Sequence, residues 1–251
     1  MRQLLFTLLI VMAGASFSQD RLRLTNGEWP PYLGSALPHH GVGSRIVAEA
    51  FATQGIDVSW EFYPWARALR LAELGERDGS ALWLKTPERL AAFYVSEPVL
   101  ESEYYLFYRA NAPLPEGARI EQMHGLRVAA MIGYYYGEAF RNAEADGTLD
   151  VIRVPRETQA LELLLAARVD VVPIDRIAAE TILDRLSEQQ RTAIMESAQV
   201  WRLESLHLML SRKNPANATR IKAFNRGLAV LKARGTIATY VKQMISELDT
   251  P

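Results

Sequence analysis

The 251-residue chain carries 28 Lys and Arg against 29 Asp and Glu, a formal net charge of −1 at neutral pH, with 49 % apolar residues and no cysteine. Balanced charge excludes the basicity of a nucleic-acid binder, and the apolar content excludes a disordered chain. The missing cysteines exclude disulfides, thiol catalysis and lipid attachment through a cysteine, so a hydrophobic core must hold the fold.

Met1 and Arg2, the apolar run LLFTLLIVMA and the small residues after it have the pattern of a secretory signal peptide over residues 1–18. Cleavage after Ala15 and cleavage after Ser18 both fit. The run is too short to span a membrane, and no later stretch is longer. The mature chain is therefore expected in the periplasm.

Residues 21–24 alternate and predict a first strand. Two prolines then impose a rigid loop, NGEWPPY, that carries Trp29 and Tyr32. Ile46, Val47, Ala50 and Phe51 keep helical spacing, so a helix is expected from Ser44 to a stop at Gly55. A second strand over 57–63 ends at Pro64, which opens a helix with Trp65 at its start and Gly75 as its stop.

The stretch DGSALWLKTPER, residues 78–89, predicts a buried strand over 80–84 and then a helix start. Thr86 can cap, Pro87 fits the first helical position, and Glu88 suits the positive helix end. Arg89 gains nothing from its own helix there. Either an anion sits between the two, or Arg89 is a surface residue paired to a nearby glutamate.

Alternation over 102–109 predicts a long strand, and Pro113 and Pro115 mark a break. A second α/β unit follows: a strand over 126–131, a loop Ile132-Gly133-Tyr134-Tyr135-Tyr136-Gly137, and a helix through Phe140. Next come a strand over 151–154, a helix capped by Thr158, and a strand over 169–173 leading to Asp175. Residues 177–197 read as helical, 200–210 as a strand, and the C-terminus as two helices separated by Gly235. Strand and helix alternate as in a mostly parallel α/β sheet, whose binding residues lie at the carboxyl ends of the strands. Tyr32, Trp65 and Arg89 all follow predicted strands and are expected to converge, although each aromatic taken singly is explained as well by packing.

The ordered set PPY, PW, TPER, FYVSEPV, LRVAAMIGYYYGEA, ELLLAARVDVVPID and FNRGLAVLKARGTIATYV resembles the family 3 periplasmic solute-binding proteins, the polar amino-acid receptors of ABC importers. The resemblance covers nearly the whole mature chain. It implies the type II periplasmic-binding-protein fold: two α/β lobes, residues 19–102 plus 200–251 and residues 103–199, joined by two hinge crossovers that close on a ligand. It also implies site roles. Arg89 would grip the ligand carboxylate, and Tyr32 and Trp65 would sandwich the ligand. Gly133 and Tyr135 would reach the same carboxylate from lobe two, and Asp175 would take the α-ammonium. Trp83 counts among the ligand-binding residues.

The departures bear on specificity. Ala81, Leu82 and Leu84, with Trp83 and Lys85 between, stand where the family has small hydroxyl residues or glycine. Its Gly-Thr-Thr loop is here Gly133-Tyr134-Tyr135. The ligand is then smaller or more aromatic than a polar amino acid, or is not an α-amino acid. Lys85 is either a second cation for a dicarboxylate or a solvated lysine beside Glu88.

Among His39, His40, His124 and His207, only the adjacent pair His39-His40 suggests a metal, and a loop pair seldom makes a site alone. No metal and no cofactor is expected, and no P-loop, nucleophile elbow or dinucleotide fingerprint occurs. Two readings follow. One is a monomeric, non-enzymatic receptor for an amino acid or small carboxylate, partnered by an inner-membrane ABC permease or a sensor. The other is an enzyme on the same fold resembling cyclohexadienyl dehydratase, for which Glu28 is the candidate acid or base.

Overall fold

The computed structural model describes residues 21–114, 119–120 and 123–248. The expected signal peptide and Pro115 lie outside the described residues.

Two parallel strand triples are built the same way. In the first, β1 (Arg21–Asn26) lies between β2 (Asp57–Phe62) and β3 (Gly79–Trp83), with α1 (Val42–Ala52) and α2 (Trp65–Glu73) as the crossovers. In the second, β5 (Arg127–Met131) lies between β6 (Asp150–Val154) and β7 (Val171–Asp175), connected through α4 (Glu138–Ala145) and α5 (Glu157–Leu165), while α3 (Pro87–Ala92) precedes β4 (Phe93–Arg109). Such connections need crossover helices, and those helices cover the sheet. Ile46, Val47, Ala50 and Phe51 are fully buried, as their helical spacing requires.

The long strands β4 and β9 (Arg202–Ser211) join the halves. They pair antiparallel from Phe93↔Ser211 to Tyr104↔Arg202. β9 borders β3, and the last residues of β4 border β7. The order is β2-β1-β3-β9-β4-β7-β5-β6, with β8 (Ile194–Glu196) added beside β4. Among the described residues no helix is long and apolar enough to cross a membrane.

Three expectations are corrected. β4 begins at Phe93 rather than 102, because irregularities in its pairing with β9 flank Pro98 and let a proline stay in the strand. Thr158 does not cap α5: the helix starts at Glu157, after Arg156 in an extended conformation that follows Pro155. Residues 177–197 are not one helix. α6 (Arg176–Leu183) is capped by Asp175, and Ser187 and Gln190 form a capping box that opens α7 (Glu188–Thr192). Ile194 then pairs with Arg109 as a strand. The C-terminal helices α8 (Asn217–Ala233) and α9 (Thr236–Leu248) meet near Gly235, as expected.

Candidate functional site

The stretch 78–89 places its arginine at the junction of the two halves. Within β3 the pairing with β9 runs Ser80↔Met209 and then Trp83↔His207, which leaves one extra residue on β3. Leu82 takes up that bulge with φ 58°, a left-handed conformation that costs a branched side chain energy. Thr86 accepts from the Arg89 N–H, so the expected helix start is present.

The Arg89 side chain donates to Leu84 O at 2.8 Å, approaches Gly133 O at 3.5 Å, and lies over Trp83 with 4.8 Å from Cζ to the ring centroid. Among the described residues it makes no ion pair with a carboxylate, and burial pushes its guanidinium down. Glu88 is held by Thr86 instead, so the surface-pair reading does not describe Arg89.

Around Arg89 lies a cavity of about 40 Å³. Trp29, Trp65, Leu82 and Trp83 wall it on one side, and Tyr104, Gly133, Tyr134 and Tyr135 on the other. Trp65 meets Trp83 edge-on at 5.0 Å and Tyr134 edge-on at 6.1 Å. Gly27 permits this: a Cβ there would fall 2.3 Å from the Trp65 ring. Gly133 adopts φ 82°, which turns the loop and favours glycine. The Tyr135 hydroxyl donates to Glu138 at 2.8 Å.

Trp65, Trp83, Arg89, Gly133 and Tyr135 are thus brought together. Tyr32 and Asp175 are not in this cavity. They meet each other instead: the Tyr32 hydroxyl donates to Asp175 Oδ2 at 3.2 Å, beside Ser102 Oγ at 2.6 Å, and Ala178 N–H donates to Oδ1 at 2.9 Å. Burial pushes the Asp175 carboxyl up, and these donors oppose it. In this structure three protein donors meet the Asp175 carboxylate, where a ligand ammonium was expected. Lys85 is exposed and does not line the cavity.

A second cavity, of about 160 Å³, shares Trp29, Trp65 and Tyr134 with the first. Glu157, first residue of α5, lies on its wall. Its stem reaches the surface, but Oε1 is closed off from solvent and has no hydrogen-bond partner. The Trp29 indole N–H is equally unpartnered. Burial first, and then the charge of Asp175, push the Glu157 carboxyl up to about 8, while Trp29 nearby opposes the shift without completing a hydrogen bond. The start of a helix favours an anion by only about 0.3–1 kcal/mol, too little to cancel such burial. Glu28 lies on the same wall and accepts from the Ser35 N–H at 3.2 Å.

The sequence pattern does not single out Glu157 or Tyr104, and it marks Tyr134 only as a bulky replacement in the loop that carries Gly133. Glu157 follows β6 in the way Trp65 follows β2, so the strand-end rule applied to the second triple would have found it. Among the described residues no group of three His, Cys, Asp or Glu is placed to hold a metal ion.

No protein-family model and no curated protein matches the chain. Solved structures do. A histidine kinase sensor domain with similarity to periplasmic binding proteins aligns at TM-score 0.76 and 18 % identity, over 90 % of this chain and 96 % of that one. The GluR0 ligand-binding core from Nostoc punctiforme, in complex with L-glutamate, aligns at TM-score 0.69 and 21 % identity, over 89 % and 98 %. An arginine third transport system periplasmic binding protein from Legionella pneumophila aligns at TM-score 0.72 and 18 % identity, over 90 % and 99 %. At these identities the likeness shows the fold, the two-lobed periplasmic-binding-protein architecture.

Proposed function

We propose that the chain is a solute receptor that closes two lobes, 19–102 plus 200–251 and 103–199, on a small carboxylate-bearing ligand. The observation that carries this reading is Arg89, a half-buried cation with no carboxylate partner, stacked on Trp83 in a cavity with walls from both halves. An unpaired charge held away from water is costly, and a ligand carboxylate would offset that cost through a two-pronged pair. The cavity's about 40 Å³ is far below the roughly 300–1,000 Å³ of a small-molecule site. Ligand entry therefore needs the halves to part, which the two long strands β4 and β9 allow as a hinge.

Amino-acid receptors among the structures of this fold support the ligand class. A periplasmic location after removal of residues 1–18, a monomer, and delivery to an inner-membrane ABC permease or a sensor complete the proposal. An enzymatic role is not favoured, since Glu28, the residue proposed for it, is engaged by Ser35.

A thermal-shift screen of the mature protein against amino acids and small carboxylates tests the reading. Carboxylates should raise the melting temperature, and Arg89→Ala should abolish the response. An unchanged response in that variant would overturn the assignment of Arg89, and release of aromatic product from prephenate or arogenate would overturn the receptor reading.

A further inference from the structure

Glu157 and Trp29 both line one cavity, and each carries a polar atom that is shut off from water and has no partner: Oε1 of Glu157 and Nε1–H of Trp29. Orphaned buried polar groups are rare in folded proteins and call for an explanation. Those on this wall are an acceptor and a donor that fail to meet each other. The other charged or titratable neighbours do not answer Glu157. Arg156 and Arg185 line the same cavity but are exposed and form no ion pair with it. Glu28 is an acid held by Ser35, Asp175 is a second acid held by Tyr32, Ser102 and Ala178, and burial keeps the Tyr134 hydroxyl protonated.

We propose that Glu157 is a ligand-binding residue, and that the cleft takes a molecule whose protonated amine lies against Glu157 while its carboxylate lies on Arg89. This rests on the receptor reading above and names the second charge its ligand must carry. The cavities at Arg89 and Glu157 share Trp29, Trp65 and Tyr134 in their walls, so they are neighbours that one molecule would reach once the halves part. Aromatic faces favour a cation over a neutral group. Asp175 already accepts from three protein donors, whereas Oε1 of Glu157 accepts from none. When the amine arrives, Glu157 gives up its proton. The resulting carboxylate then accepts both from the ligand N–H and from the Trp29 N–H, so both orphans are satisfied together.

Matched pairs of probes test this by titration calorimetry on the mature protein: phenylalanine against hydrocinnamate, leucine against isocaproate, and γ-aminobutyrate against butyrate. Wild type should bind the amine-bearing member of at least one pair about tenfold or more tightly. Repeating that titration in buffers of different ionisation heat should show release approaching about one proton per ligand at about pH 6.5. In Glu157→Gln the preference should fall to about twofold or less and the proton release should vanish, with binding of the amine-free acid retained. Circular dichroism confirms that the variant is folded. A preference and a proton release that survive in the variant would sink the inference, as would wild-type binding of both members alike. If amine-free acids bind in an Arg89-dependent way without any amine preference, only this inference fails. If no probe binds at all, the receptor reading fails with it.

Discussion

Glu157 makes the stability of the ligand-free protein depend on pH in a direction opposite to that of an ion-paired acid. Its carboxyl is pushed from the usual 4.5 to about 8 by burial and by Asp175. Between those values the folded protein holds a proton that the unfolded chain has released, so stability falls as pH rises. Its contribution is largest below about 4.5 and is lost as pH passes about 8. Integrating from about pH 5 to about pH 8 gives a loss of about 3 kcal/mol, or about 6–12 °C in Tm for a chain of this size. Glu157→Gln removes the titration and keeps the shape. Asp175 acts with the same sign but stays in the variant, so the difference between the two proteins isolates Glu157. Melts followed by far-UV circular dichroism at half-unit pH steps measure it. The variant should overtake wild type as pH rises toward about 8. Parallel pH profiles for the two proteins would show that the carboxyl is solvated and the cavity wet.

Gly27→Ala should push the Trp65 ring aside, because the added carbon meets it at 2.3 Å. Overpacking of this kind costs about 1–3 kcal/mol, and the near-UV circular dichroism of the tryptophans should change with it. Tyr32→Phe removes the bond that ties the loop after β1 to Asp175 at the start of α6. A loss of about 1 kcal/mol is expected in urea melts, along with a larger radius of gyration without ligand if that bond holds the halves together. Asp170 is held down to about 2, first by its bond from the Arg127 side chain, with Arg109 adding to it. Its stabilisation is present above the ordinary carboxylate range and lost as pH falls through about 2. Asp170→Asn should therefore cost about 1–2 kcal/mol at neutral pH, with the gap to wild type closing in acid.

The α/β alternation was legible because the strands are short apolar runs bounded by proline and glycine, and because Ile46, Val47, Ala50 and Phe51 share one helical face. The identity of the two triples was hidden, since parallel pairing joins strands whose separation in sequence carries no local signal. Helix-start chemistry singled out Arg89 but left it open between an anion contact and a surface pair, a choice that depends on what the fold brings around it. The surroundings of Asp175 were not legible, because whether its oxygens face a ligand or Tyr32 and Ser102 depends on contacts 143 and 73 residues away. The bulge at Leu82 was equally invisible: no glycine marks it, and only the offset between Ser80 and Trp83 against β9 reveals it.

On the proposed receptor reading, the same long-range geometry gives the cleft a basis for selecting its ligand. Arg89 lacks an acid, Glu157 lacks a donor, and the space between them is lined by aromatic rings. Closing the lobes without a ligand strands both groups away from water, at about 1–3 kcal/mol each or more when charged. A simple carboxylate relieves only the Arg89 end, and a simple amine only the Glu157 end. A ligand that carries both charges relieves both at once, so its advantage over a singly charged one should exceed a single hydrogen bond and should show as a slower release. Because the walls are Trp29, Trp65, Trp83 and Tyr134 rather than hydroxyls, the segment between the two charges gains by being apolar. Phenylalanine and leucine should on that reasoning outrank serine and glutamine in the screen, and a response confined to the polar amino acids would contradict it.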